Sequence, residues 1–273
     1  MTPALQEKYQ RLVDQIQSFD SAIVAFSGGI DSSLVAYVTA SLLGERSLAV
    51  TSGSPSLKRS DLNLSQRLAD EWGMQHEVIV TDELSKAEYR ANPVNRCFHC
   101  KTSLYQALND MARARGFQHI LNGTNIDDLG DHRPGLIAAD DFKVVSPLVD
   151  AGFCKQDIRD LAAHLKLENA NKPQAACLSS RFPYGSSIDE KLLAQVESAE
   201  SVLDKAGFTQ FRVRHHGDVA RLEIGPDEFP RVLEMAGDLQ RDIKACGYRF
   251  VSLDLGGFRS GSLNEGIQII EVT

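Results

Sequence analysis

The chain has 273 residues, 42% of them hydrophobic and 24% charged, with a net charge of −8. Such a composition fits a soluble protein with one large or two modest cores, and its acidity disfavours a large nucleic-acid partner. There is no long apolar window to span a membrane and no apolar stretch of a signal peptide near the start. The expectation is therefore a cytoplasmic protein, and the spacing of its five cysteines is to be read for metal or redox chemistry rather than disulfides.

The N-terminal 1–20 reads as an amphipathic helix. Strands are predicted at 21–26 (SAIVAF), 47–52 (SLAVTS), 76–81 (HEVIVT) and 119–123 (HILNG). Between and after them, helical patterns cover 32–44, 58–73, 97–116 and 154–167. Strands separated by helices imply right-handed crossovers and a parallel sheet with helices on both faces. Ligands of such sheets bind at the C-terminal ends of the strands. The pattern changes near 175. A loop at 179–187 leads to a helix over 188–206, a strand over 209–216, its hairpin partner over 219–224, a helix over 227–246 and a last strand over 248–255. The expected organisation is an α/β domain over 1–175 and a smaller α+β domain over 176–273.

The junction SAIVAFSGGIDSS carries the clearest chemistry. A strand that runs into Ser27-Gly28-Gly29 and then a helix makes an anion site. Glycines let the backbone approach a phosphate, and the helix start points N–H groups and a positive dipole end at it. It is neither G-x-x-x-x-G-K-[ST] nor G-x-G-x-x-G. SGGIDSS instead resembles the PP-loop of the ATP pyrophosphatase superfamily, and the fold implied is the adenine-nucleotide α-hydrolase-like parallel sheet. By that resemblance Ser27, Gly28, Gly29, Ser32 and Ser33 hold the phosphates of ATP, and Asp31 places Mg²⁺ or the nucleotide. LNGTNIDDLGDHRPG, after the fourth strand, matches the Gly-Thr-Asn/Asp-Asp loop that lies near the adenosine in similar enzymes, through Gly123, Thr124, Asn125, Asp127 and Asp128. Arg133 is a candidate for a phosphate or carboxylate.

Cys97-Phe98-His99-Cys100 opens a helix, and Cys177 lies in AACLSSRFPYG. A redox dithiol lacks a thioredoxin-like context, and a structural zinc site would be one ligand short. A [4Fe–4S] cluster held by three thiolates leaves one iron open to an extra sulfide. Cys154 and Cys246 stand alone and read as small buried hydrophobes.

SGGIDSS, DHRPGL, ACLSSRFPYG, FRVRHHGDVARLEI and LDLGGFRSG together resemble the LarE family, over nearly the whole chain. These are sulfur transferases of nickel-pincer nucleotide biosynthesis, which matures lactate racemase. They adenylate a carboxylate of pyridinium-3,5-biscarboxylic acid mononucleotide and replace it with a thiocarboxylate, twice. Members with only the cysteine matching Cys177 sacrifice its sulfur, and members with three cysteines carry a [4Fe–4S] cluster. Cys97, Cys100 and Cys177 place this sequence with the second group by resemblance. Sacrificial transfer from Cys177, a zinc or structural site, a PP-loop tRNA thiolase and an ammonia-using synthetase are the alternatives. The implied assembly is a homo-oligomer, a hexamer in the family.

A substrate with a phosphate and two carboxylates calls for arginine. Ser180 and Arg181 follow Cys177 closely and are candidates to face both sulfur source and substrate. Lys101, directly after Cys100, is a candidate to steer anions or assist sulfur transfer, or a solvated helix lysine. Arg212 and Arg214, two apart on a strand, share a face. The resemblance makes them, with Arg259 in GGFRSG, ligands of the substrate phosphate, across a subunit boundary. It also makes Glu200 an acidic residue that helps to bind a divalent ion. His215 and His216 point to opposite faces and read as structural or surface residues.

Overall fold

The computed structural model describes residues 1–129, 134–172, 176–259 and 263. It divides into two compact units, Met1–Tyr89 with Val94–Ala175, and Arg90–Pro93 with the residues from Ala176 onward. In chain order the first unit runs α1 (Pro3–Gln17), β1 (Ala22–Ala25), α2 (Ile30–Leu43), β2 (Ser47–Ser52), α3 (Arg59–Glu71), β3 (His76–Ile79), the short α4 (Ala87–Arg90), α5 (Arg96–Arg115), β4 (His119–Leu121), α6 (Pro134–Asp141), α7 (Pro147–Asp150) and α8 (Lys155–His164). The four strands form a parallel sheet in the order β3-β2-β1-β4.

Side chains alternate across a strand, and here the alternation sorts them into two cores. Ala22 and Val24 of β1, Ala49 of β2 and Leu121 of β4 join Leu12, Ile16, Leu34, Leu68 and Leu161 from α1, α2, α3 and α8. Ile23, Leu48, Val50 and Ile120 face the other way, onto Tyr105, Leu108 and Ala138 from α5 and α6. Both faces of the sheet are thus covered at its centre, which is why β1 is a continuous apolar run, while the edge strand β3, His-Glu-Val-Ile, is only half-buried. The run expected to continue to 123 ends at Leu121, because Asn122 turns the chain: its Oδ1 accepts the Thr124 N–H at 3.0 Å. Among the described residues no helix is long and apolar enough to cross a membrane.

The second unit contains α9 (Glu190–Lys205), β5 (Phe211–His216), β6 (Val219–Ile224), α10 (Phe229–Glu234), α11 (Ala236–Ala245) and β7 (Phe250–Leu253). β5 and β6 pair antiparallel from Phe211↔Ile224 to His216↔Val219, and β7 adds parallel to β6. Val213, Leu222 and Ile224 pack on Ala199 and Leu203 of α9 and on Leu239 and Ile243 of α11. The single helix expected over 227–246 is two helices. Met235, with φ −94° and ψ 7°, leaves the helical region between them. Gly237 lies two residues on, in the first turn of α11, and glycine is the poorest helix former after proline.

Candidate functional site

The Ser27–Ser33 loop sits where β1 ends and α2 begins, at the C-terminal edge of the parallel sheet. Gly29 is the N-cap of α2 and brings no side-chain cap, so the first N–H groups of the helix point outward to a ligand. Gly28 has φ +69°, a conformation that glycine adopts without penalty. Ser32 Oγ braces the loop from inside. It accepts the Ser27 N–H at 3.2 Å, donates to Gly29 O at 3.1 Å and lies 3.1 Å from Ser27 Oγ. Gly123 fixes the opposite wall, since a Cβ there would lie 2.5 Å from the Ser32 backbone nitrogen. The two loops therefore meet backbone to backbone. Asn125 ties them with its side chain, donating Nδ2 to Asp31 Oδ1 at 3.3 Å. Its own turn is closed by Asp128, whose Oδ2 accepts the Asn125 N–H at 3.1 Å, and by Asn125 Oδ1, which accepts the Asp127 N–H at 3.0 Å. Arg133 lies outside the described residues.

Three residues that sequence reasoning missed complete this site. Lys155 Nζ lies 2.7 and 2.5 Å from the two oxygens of Asp31. Asn169 Nδ2 donates to Gly28 O at 3.0 Å and to Ser33 Oγ at 2.7 Å. Lys172 Nζ reaches Asp61 at 2.8 Å and Gly28 O at 3.4 Å. Holding the Gly28 carbonyl from behind keeps its oxygen away from an incoming phosphate and leaves the N–H side toward it. Asn169 Oδ1 is buried and accepts no hydrogen bond among the described residues. A glycine cradle, a helix start without a cap and an orphaned amide oxygen fit a bound nucleotide, and the Asp31 carboxylate fits a divalent cation.

Cys97 and Cys100 lie in the first two turns of α5, three residues apart and so on one face of the helix. Cys97 is exposed and Cys100 half-buried. Lys101, one residue on, places Nζ 5.7 Å from the Tyr105 ring centroid. Among the described residues no group of three or more His, Cys, Asp or Glu is arranged to hold a metal ion. The thiol pair on one helical face is nevertheless a donor set that suits a thiophilic metal. Cys154 and Cys246 are half-buried rather than fully inside; Cys154 is the N-cap of α8, where its N–H donates to Asp157 at 2.9 Å.

In the second unit Cys177 is exposed at the start of a 3₁₀ turn, Leu178–Arg181. Arg181 is buried beneath it. Its Nη1 donates to Ala176 O at 2.8 Å, to Cys177 O at 3.1 Å and to Ser180 Oγ at 2.9 Å, so one guanidinium holds the whole cysteine turn. The Glu200 carboxylate balances it, taking Nε at 2.8 Å and Nη2 at 3.1 Å, and also accepts the Val213 N–H at 3.1 Å. Arg214 is likewise buried, paired with Glu223 at 2.9 Å and donating to Ser180 O at 2.5 Å. Arg221 gives Glu223 a second cation at 3.1 Å. Arg212 is different. It stacks on the Phe258 ring at 4.7 Å and donates to Arg259 O at 3.2 Å, but among the described residues it has no carboxylate partner. Burial, and then repulsion from Arg214 and Arg181, push its guanidinium below the ordinary arginine range. A cation destabilised in this way gains by binding an anion. His215 is buried and bonded through Nδ1 to the Tyr248 hydroxyl at 3.1 Å, a structural role.

Residues 4–127 match the family model of NAD synthase, which covers the phosphate loop and stops short of Lys155 and Cys177. The pyridinium-3,5-bisthiocarboxylic acid mononucleotide synthase of Lactiplantibacillus plantarum is 37% identical over 262 residues, which span 96% of this chain and 95% of the relative. The chain belongs to the LarE family. Other relatives that this LarE chain resembles are an uncharacterised protein of Synechocystis sp., 38% identical across 95% of the chain and 98% of the relative, and one of Methanocaldococcus jannaschii, 28% identical across 87% and 90%. Both units therefore have counterparts in LarE relatives.

Proposed function

We propose that the chain is an ATP-dependent sulfur insertase that turns the carboxylates of pyridinium-3,5-biscarboxylic acid mononucleotide into thiocarboxylates, with Cys97, Cys100 and Cys177 as ligands of a [4Fe–4S] cluster. The observation that carries the reading is the 37% identity, across 96% of the chain, to the synthase of that product. The enzyme is a PP-loop sulfurtransferase, and its reaction has two steps.

First, a substrate carboxylate oxygen attacks the α-phosphorus of ATP. The bond to the bridging oxygen breaks, and pyrophosphate leaves with the electron pair. The Ser27 hydroxyl and the N–H groups at the start of α2 hold that leaving group, whose growing charge they meet without reorganising, while Ser32 braces the loop from inside and Ser33 takes the Asn169 amide beneath it. Asp31 would hold Mg²⁺ beside it. Asn169 and Lys172 keep the Gly28 peptide in the orientation this requires. Second, a sulfur nucleophile adds to the acyl carbon of the adenylate, the bond to AMP breaks, and a thiocarboxylate remains. Arg181 orients the Cys177 turn for this step, and Ser180 lines it. A [4Fe–4S] cluster on three thiolates would supply an iron with an open position for an extra sulfide. Arg212, with Arg259, binds the substrate phosphate, while Arg214, paired with Glu223 and bonded to Ser180 O, positions the Cys177 turn; what supports Arg212 is its stacked guanidinium without a carboxylate among the described residues. Lys101 steers substrate anions.

Anaerobic purification followed by iron and acid-labile sulfide analysis tests the cluster, and release of AMP and pyrophosphate tests the chemistry. Iron at roughly four per chain, lost in Cys97→Ala, together with turnover that requires the dicarboxylate mononucleotide, is expected. An iron-free, active protein whose Cys177 loses one sulfur would replace the cluster with sacrificial transfer. Turnover that does not depend on the dicarboxylate would overturn the substrate.

A further inference from the structure

Asp31 carries two expectations that compete. Its place in the first turn of α2 suits it to a divalent cation, yet both its oxygens are taken by one ammonium. Lys155 Nζ sits 2.5 Å from Oδ2 and 2.7 Å from Oδ1, the bidentate position that a cation on the carboxylate would occupy. A metal and an ammonium sharing that position would repel strongly at such short range. Lys155 makes no other ion pair among the described residues. Its backbone is fixed: the Lys155 N–H donates to Asp127 Oδ2 at 2.8 Å, and Lys155 is the first residue of α8. Its side chain is a flexible four-carbon stem with a compact charge. About a quarter of each side chain is exposed, 24% for both, so neither charge is locked away from solvent.

We infer that Lys155 is a displaceable counter-ion: it competes with a divalent cation for Asp31 and, once displaced, moves to the phosphates of ATP on the neighbouring loop. This rests on reading Ser27–Ser33 as the ATP site. The side chain pivots about its anchored backbone, and no bond is made or broken. The consequence is that metal and nucleotide bind with mutual help. The metal releases the ammonium to the phosphates, and the phosphates draw the ammonium off the metal's carboxylate.

The test is calorimetric titration of the full chain with Mn²⁺ alone, with ATP in chelator, and with both, for wild type, Lys155→Met, Lys155→Arg and the double variant Lys155→Met with Asp31→Asn. Thermal melts verify that each variant is folded, and Lys155→Gln stands in if the methionine variant is not. Lys155→Met is expected to bind Mn²⁺ alone about fivefold more tightly and metal-free ATP at least about fivefold more weakly, the worth of one partly exposed ion pair on each side. Lys155→Arg should restore ATP binding, and adding Asp31→Asn to Lys155→Met should abolish the Mn²⁺ gain. Unchanged Mn²⁺ and ATP constants in a folded Lys155→Met protein would overturn the role of Lys155 and leave the ATP site intact. Failure of the wild type to bind ATP at all would overturn the ATP site and Lys155 with it.

Discussion

Replacing Glu200 with glutamine removes one charge and almost no volume. Glu200 is 3% exposed, and its carboxylate takes two bonds from Arg181 and one from the Val213 N–H. An amide keeps one acceptor but turns its NH₂ toward the Arg181 guanidinium, donor against donor. Arg181 is then a buried cation facing only neutral acceptors, Ala176 O, Cys177 O and Ser180 Oγ. Breaking a buried pair from one side costs about 3–5 kcal/mol. In a unit of roughly 100 residues each kcal/mol moves the midpoint by about 4–8 °C, so a fall of roughly 12–40 °C is expected. Scanning calorimetry of the full chain measures it. Trp72, the single tryptophan, lies in the first unit, so its fluorescence assigns the other transition to the second. The double variant Arg181→Met with Glu200→Leu should melt higher than Glu200→Gln, because it leaves no buried charge alone. A Glu200→Gln protein that melts within about 2 °C of wild type yet has lost turnover would refute the ion-pair account and make Glu200 a metal ligand instead.

Gly123→Ala puts a methyl 2.5 Å from the Ser32 nitrogen, against backbone that yields poorly, so about 1–3 kcal/mol of strain and at least tenfold weaker ATP binding are expected by calorimetry. Arg212→Gln should raise KM for the mononucleotide by about tenfold to a hundredfold, the worth of a charged hydrogen bond, with kcat less affected. Burial holds the His215 imidazole below its ordinary value, and His216 adds to it; burial does the same to His76. Between the lowered folded value and the ordinary one the unfolded chain binds more protons. The contribution of both histidines is therefore complete above about pH 6.5 and is lost as pH falls through the folded value. Melting midpoints measured from pH 7.5 down to 5 should fall, with a shallower slope in His215→Gln.

The parallel sheet and the phosphate loop were legible in the sequence because local rules decide them. Apolar runs, helix periods and a Gly-Gly junction are read within a few residues, and Ser27–Ser33 lies where those rules place it. Lys155, Asn169 and Lys172 were not legible, since each acts on the loop through chain closure from more than a hundred residues away. The second unit misled periodicity in a different way. Arg214 and Glu200 read as polar positions of a strand and a helix, yet both are buried because each has an opposite charge, Glu223 for one and Arg181 for the other. Arg212, on the same face as Arg214, has the same sequence signal and the opposite electrostatic state. Pairing, which separates them, is a property of the folded chain alone.

The bond from Asn169 to the Gly28 carbonyl spans 141 residues of chain. During synthesis at about 5–20 residues per second, the loop emerges and then waits on the order of ten seconds for the amide that braces it. Cys177 follows Asn169 by only a few positions. The nascent chain thus gains a braced Ser27–Ser33 loop and the exposed Cys177 almost together. A ribosome-bound fragment ending before Asn169 carries the whole Ser27–Ser33 sequence and lacks its brace.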